Sequence, residues 1–325
     1  MHKTISLALG TICAVFLFFT MISAIRFVQS AWQPPEPQQR AEERYRLVLI
    51  TQDLGTPFWN KVGEGAEAEA EKLGANLEIW GTYGEDREDF LKQLEIAIDS
   101  KVDGIIVQGM DQDDFDNLTK VKAAFYGIPV ITVASDVPMS DSMRKTYVGS
   151  NALAAGRMIA ERLVADMGEK GTVVLLGDSR EEYDQRQRVL GVRGVLSAYP
   201  NIRIEYVTTS DEEQRIAAAT QDVMNRFPEV KAFISVDANL TAAMVQEIGK
   251  RSRIDPYYIY SFDDNPDIKA LLGQGKLDGV VEQAPSEMGE TGVRMMVQWL
   301  DGKTVPLDPE GYPTPIRIST TEDAS

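Results

Sequence analysis

From Leu47 to Trp80 the chain reads LVLITQDLGTPFWNKVGEGAEAEAEKLGANLEIW. Its opening run is apolar or β-branched throughout, as a strand covered on both faces must be. Phe58–Leu73 has the length and spacing of an amphipathic helix, and Leu77–Trp80 turns apolar again. A strand, a helix and a second strand in that order form a βαβ unit, which pairs its strands in parallel.

Working outward, the same alternation continues. Strands are expected at Gly104–Val107, Val130–Val133, Thr172–Leu176, Arg203–Val207, Ala232–Val236, Tyr257–Phe262 and Gly279–Gln283. Helical stretches lie between them at Glu88–Ser100, Leu153–Met167, Ile216–Phe227 and Thr241–Lys250. The pattern runs about four units, pauses near Tyr147–Asn151 and runs again. The fold class expected is therefore α/β, with two similar doubly wound parallel-sheet lobes.

Composition narrows the chemistry. The 325 residues carry a formal charge of −17, which excludes a phosphate-tracking nucleic-acid binder, since such proteins displace counterions with a basic face. One His and one Cys occur, at positions His2 and Cys13. The body beyond Arg26 thus has no imidazole or thiol for a Ser-His-Asp or Cys-His nucleophile, for a zinc site or for a disulfide. No metal and no cofactor is expected. Carboxylates, lysines and amides remain, or no chemistry at all.

Ile5–Ile25, ISLALGTICAVFLFFTMISAI, is uncharged and lies between Lys3 and Arg26. It matches the roughly 20 apolar residues that span a bilayer core and exceeds the ~7–15 of a signal-peptide apolar region. An uncleaved N-terminal membrane helix is expected; the alternative is a signal peptide cut after Ser30. Ala31–Glu43, AWQPPEPQQRAEE, has three prolines and reads as part of a stiff, solvated stalk spanning residues 26–45.

In parallel sheets of this kind ligands bind beyond the carboxyl ends of the strands, and nearly every strand here ends in a hydrogen-bonding side chain. The first is followed by Gln52, Asp53 and TPFW, the third by Gln108, the fourth by Ala134, Ser135 and Asp136. In the second half the strands are followed by Asp178, Asp237, Asp263 and Gln283. Any single Asp in this set reads equally well as an N-cap of the next helix. Pro57 opens a helix while Phe58 and Trp59 project about 100° apart, so that one of them can serve as a ligand platform. Two weaker patterns are set aside. Gly63, Gly65 and Ala68 match GxGxxA but fall inside the helix rather than at its start, which suits close packing. Asp111, Asp113, Asp114 and Asp116 lack the ligand spacing of a calcium loop.

These residues give the chain its resemblance. TPFW at Thr56–Trp59, KVDGIIVQGMD at Lys101–Asp111, GIPVITVASDVP at Gly127–Pro138, YVGSN at Tyr147–Asn151, YSFDDNPD at Tyr260–Asp267 and GKLDGVVEQAP at Gly275–Pro285 stand in order. From about Arg46 to Ile318 the sequence resembles the ribose-binding-like periplasmic binding proteins of type I fold. The resemblance implies a non-enzymatic, extracytoplasmic protein whose two lobes, joined by a three-crossing hinge, close on a sugar or polyol and deliver it to an ABC permease. It implies lobe one as 46–148 plus 284–311 and lobe two as 149–283 plus a terminal strand at 312–318, with a tail at 319–325. Carried over by residue, the binding positions fall on Phe58, Trp59, Gln108, Arg188, Asp263 and Gln283, and Thr56, Asp136 and Asp237 complete the expected ligand-binding set. Ala134, Thr56 and Val236 depart from the ribose pattern, and Asp136 stands two residues on from the missing carboxylate at position 134. A second expectation is a membrane-anchored sensory subunit for a histidine kinase ectodomain. An enzyme using paired carboxylates is the third, and no pair is marked by the sequence.

Overall fold

The computed structural model describes residues 14–23, 26, 45–84, 86–251, 257–263 and 265–323. The chain divides into two units, Met1–Glu42 and Glu43–Ser325. In the first, residues 14–23 are helical, with Phe16, Leu17, Phe18, Phe19 and Met21 exposed. The rest of the expected anchor and nearly all of the stalk lie outside the described residues. No helix among the described residues is long and apolar enough to cross a membrane.

The second unit carries two six-stranded sheets. Sheet one contains β1 (Arg46–Thr51), β2 (Asn76–Gly81), β3 (Gly104–Gln108), β4 (Val130–Val133), β5 (Thr146–Gly149) and β11 (Tyr312–Pro313), in spatial order β11-β5-β4-β3-β1-β2. Sheet two contains β6 (Gly171–Asp178), β7 (Ile202–Thr209), β8 (Val230–Ser235), β9 (Tyr258–Phe262), β10 (Gly279–Glu282) and β12 (Arg317–Thr320), in order β12-β10-β9-β8-β6-β7. The two orders are the same pattern written twice. Pairings are parallel except that of β10 with β12. The strands are apolar because helices cover both faces of each sheet. Each lobe accordingly has two buried clusters, one per face, centred on residues such as Leu49, Ile106 and Ile131 or Val48, Ile105 and Phe90 in lobe one.

Two expectations change. The pause near Tyr147–Asn151 overlaps a strand, β5, four residues long. The terminal strand expected at 312–318 in lobe two is two strands: Tyr312–Pro313 pairs with β5 in lobe one, and Arg317–Thr320 pairs with β10 in lobe two. Pro313 and Pro315 explain the break, since proline cannot donate to a ladder. The glycines of GxGxxA serve packing. A Cβ at Gly65 would lie 2.1 Å from Ser286 O, and one at Gly289 would lie 1.9 Å from Val62 O. The helices Pro57–Leu73 and Pro285–Leu300 therefore meet backbone to backbone, which brings residues after Gln283 back onto lobe one.

Candidate functional site

Because each strand of a doubly wound sheet points its carboxyl end the same way, the loops after β1, β3 and β4 face those after β6, β8, β9 and β10. Between them lies a cavity of about 270 Å³. Of the nine residues expected in the site, Thr56, Phe58, Trp59, Gln108, Arg188, Asp237, Asp263 and Gln283 line it.

Lobe one supplies the aromatic wall. Thr56 Oγ1 accepts from Trp59 N at 3.3 Å, capping the helix that Pro57 opens. Phe58 and Trp59 meet edge to face with ring centroids 5.5 Å apart. Trp59 is 9% exposed and joins the core, and both rings still reach the cavity. Gln108 Oε1 accepts from Gln52 N at 2.8 Å and Thr51 Oγ1 at 3.1 Å. Its carbonyl is thereby used within the protein, and its amide donors are left for a ligand.

Asp136 is the exception. Its carboxylate pairs with Arg144, Nε to Oδ1 at 2.6 Å and Nη2 to Oδ2 at 2.8 Å, and accepts from Thr132 Oγ1 at 2.8 Å. Arg144 is itself buried and donates to the carbonyls of Val137 and Pro309. A buried guanidinium needs a carboxylate, so Asp136 is turned into lobe one. It does not replace the carboxylate absent at Ala134.

Lobe two supplies most of the charge. Arg188, on the helix Tyr183–Leu196, donates from Nη1 to Val236 O at 2.9 Å, faces Asp263 Oδ2 at 3.5 Å and stacks over the Phe262 ring at 4.6 Å. Asp263 is held from its other side by the Gln283 amide. Its backbone has φ of 67°, a conformation that Asp and Asn tolerate better than most side chains. Asp237 accepts from Asn239 N at 2.8 Å as the N-cap of the next helix while lining the cavity, so both readings of that aspartate hold. Burial raises its pKa.

Several site residues had no place in the sequence-derived set. Asp178 takes a bidentate pair from Arg180, at 2.9 and 2.7 Å, and burial pushes its pKa to about 6. Asp184, one helical turn before Arg188, reaches across to lobe one, where its Oδ2 accepts from Asp136 N at 3.2 Å. Burial outweighs the Arg188 charge and pushes the Asp184 carboxyl up to about 7. Two ion pairs also cross the cleft, Arg87 with Glu182 at 2.5 Å and Arg186 with Asp111. The four-residue spacing of Asp184 and Arg188 was the one signal that could have found Asp184, since it places both on one helix face.

An aromatic wall facing a carboxylate, a guanidinium and amides can hold a polyhydroxylated ring, with apolar C–H faces on one side and hydroxyls on the other. Among the described residues no group of His, Cys, Asp and Glu could hold a metal ion.

Comparison with known proteins finds relatives over most of the chain. The chain is 24% identical over 281 residues to the D-allose-binding periplasmic protein of Escherichia coli, covering 82% of this chain and 88% of that one. It is 22% identical over 274 residues to the ribose import binding protein of Salmonella typhimurium, covering 84% and 89%. Among solved structures, GanP, a glucose-galactose binding protein from Geobacillus stearothermophilus, superposes with a TM-score of 0.80 at 29% identity, covering 86% of this chain and 98% of that one. A chain of the XylFII–LytSN complex superposes with a TM-score of 0.74 at 25% identity, covering 86% and 98%. The periplasmic binding protein domain family matches residues 47–304, and the chain belongs to that family.

Proposed function

We propose that this protein captures a monosaccharide or polyol outside the cytoplasm, closes its lobes over it and presents it to an ABC permease, without catalysis. The single observation that carries the reading is the apposition, in one cavity, of the Phe58 and Trp59 rings with the Arg188, Asp263 and Gln283 hydrogen-bonding set. In this reading one ring of the edge-to-face pair, Phe58 or Trp59, stacks on the sugar face, Gln108 donates to a hydroxyl and Asp263 accepts from one or two. Asp237 and Thr56 complete the rim. The names of the relatives support the class, since they bind ribose, allose, glucose or galactose.

The test is calorimetry of the protein against a panel of pentoses, hexoses and polyols. One member is expected to bind with micromolar or tighter affinity, and its uptake by cells is expected to stop when the gene is deleted. Absence of binding across the panel would sink the sugar reading.

A second reading is favoured by the likeness to a chain within the XylFII–LytSN complex, a protein of this fold assembled with another protein. Here the lobes report ligand to a membrane-bound histidine kinase ectodomain, and Ile5–Ile25 serves as an anchor. The apolar sequence of that run supports the anchor, as do the exposed side chains of Phe16, Leu17, Phe18, Phe19 and Met21. With the sugar-responsive operon under constitutive control, normal uptake and lost induction in the deletion strain would select sensing. Mass spectrometry of the membrane fraction is expected to find the intact N-terminus, and a soluble species beginning near Ala31 would mean cleavage.

A further inference from the structure

Behind the ligand cavity, at the hinge, lies a chamber of about 10 Å³ bounded by Ala134, Ser150, Asp184, Arg188, Phe262 and Gln283. Two buried polar atoms of that lining have no hydrogen-bond partner among the described residues, Ser150 Oγ and Arg188 Nε. Ser150 is 7% exposed and stands at the first crossing between the lobes, between β5 and the helix Ala152–Met167. Its carbonyl accepts from the Tyr147 hydroxyl at 3.0 Å, which also lies 3.0 Å from Ala134 O, so the backbone at Ser150 is held in place.

A buried donor left without a partner is costly, and more so when it is charged. Two such groups on one small cavity need a shared partner. Apolar voids stay dry, whereas a void of roughly 10–15 Å³ with two to four polar partners holds one water. We infer that the chamber holds a single ordered water that accepts from Arg188 Nε, bonds Ser150 Oγ and donates to the Asp184 carboxylate. It fixes the third guanidinium nitrogen of Arg188, whose other two are engaged by Val236 O and Asp263. Ser150 is thereby a positioning residue: it acts on the ligand through the water and Arg188. Ala134 lines both chamber and cleft and contributes only a methyl group, which leaves the water room.

The water itself does not depend on what the protein binds; its effect on affinity rests on the sugar reading. The test is a high-resolution crystal structure of the full chain, ligand-free and soaked with D-galactose, and the same for Ser150→Ala and Ser150→Thr. A single density peak about 3 Å from both Ser150 Oγ and Arg188 Nε is expected in the unsubstituted protein, absent or displaced in Ser150→Ala and retained in Ser150→Thr. Titration against D-ribose, D-allose, D-galactose and L-arabinose should show affinity reduced three- to tenfold in Ser150→Ala and restored in Ser150→Thr. No peak in that position, a sugar hydroxyl occupying it, or weakened binding with the water unmoved would each overturn the inference. A panel on which no sugar binds would reject the sugar reading, and the density would still decide the water.

Discussion

The ends of β4 and β9 are the same place in two lobes. Each is followed by a residue in the left-handed region, Ala134 at φ 62° and Asp263 at φ 67°. Each of these donates its N–H to the strand alongside, to Val148 O and to Val281 O, both at 2.9 Å. The topology dictates this backbone twice, yet one copy carries a carboxylate held by Arg188 and Gln283 and the other a methyl group. Strand-end geometry therefore belongs to the fold, while the chemistry belongs to single side chains placed on it. Here the chemistry is unequal. Lobe two offers the charged face, and lobe one offers aromatic rings and an amide.

The largest effect should come from making the two strand ends alike. Asp263→Ala leaves a left-handed alanine, which Ala134 shows the backbone can hold, and strands the Arg188 charge. Removing one partner of a buried charged pair costs about 2–5 kcal/mol, so calorimetry should show the cognate sugar bound roughly a hundredfold more weakly, about 2.7 kcal/mol. Undiminished affinity would dissolve the contrast between the lobes.

The reverse change sharpens it. Ala134→Asp places a second carboxylate beside Asp184, and like charges in one site cannot both ionise freely. Binding should weaken about tenfold at pH 8 and recover in part at pH 5, read from Kd at the two values. Equal loss at both would mean that position 134 acts by bulk alone.

A smaller effect is expected at the cleft mouth. The Arg87 and Glu182 side chains are 26% and 35% exposed, and pairs of that kind contribute about 0.2–1 kcal/mol. Glu182→Gln should open the ligand-free protein slightly in small-angle scattering and weaken binding two- to fivefold at low salt, with the difference vanishing at high salt. A salt-independent loss would count against an ion pair.

The smallest effect concerns stability. The carboxyl of Asp184 rises from 3.8 to about 7 on folding, so between those values the folded protein holds a proton that the unfolded chain has lost. Stability from this group is therefore lost as pH rises through that window. In melts at pH 5 and pH 8, Asp184→Asn should gain on the unsubstituted protein at the higher pH. A constant difference would argue against the burial of this carboxyl.

These contrasts also show what the sequence can disclose. The strands were legible because burial on both faces makes them uniformly apolar, and most of the cavity residues because parallel strands deliver their following loops to one edge. Asp136 was misread because its fate depends on Arg144, eight residues on, and no local pattern marks that pairing. Glu182 faces a partner on a distant helix, Arg87, whose meeting only the folded chain reveals. The strand Thr146–Gly149 did not stand out because only a four-residue helix, Met139–Ser142, separates it from β4, so the long strand-helix alternation breaks there, and prolines disguised the segment beyond Gly311.

That segment has a consequence for how the protein comes to be folded. Tyr312–Pro313 completes the edge of one sheet and Arg317–Thr320 the edge of the other, only a few residues apart. Both sheets therefore stay incomplete until the last strands have left the ribosome, more than 250 residues after β1. The amino-terminal lobe cannot finish ahead of its sibling, and such long-range pairing folds slowly. A nascent chain that stopped at Gly311 would bare two unpaired strand edges at once, each a template for aggregation.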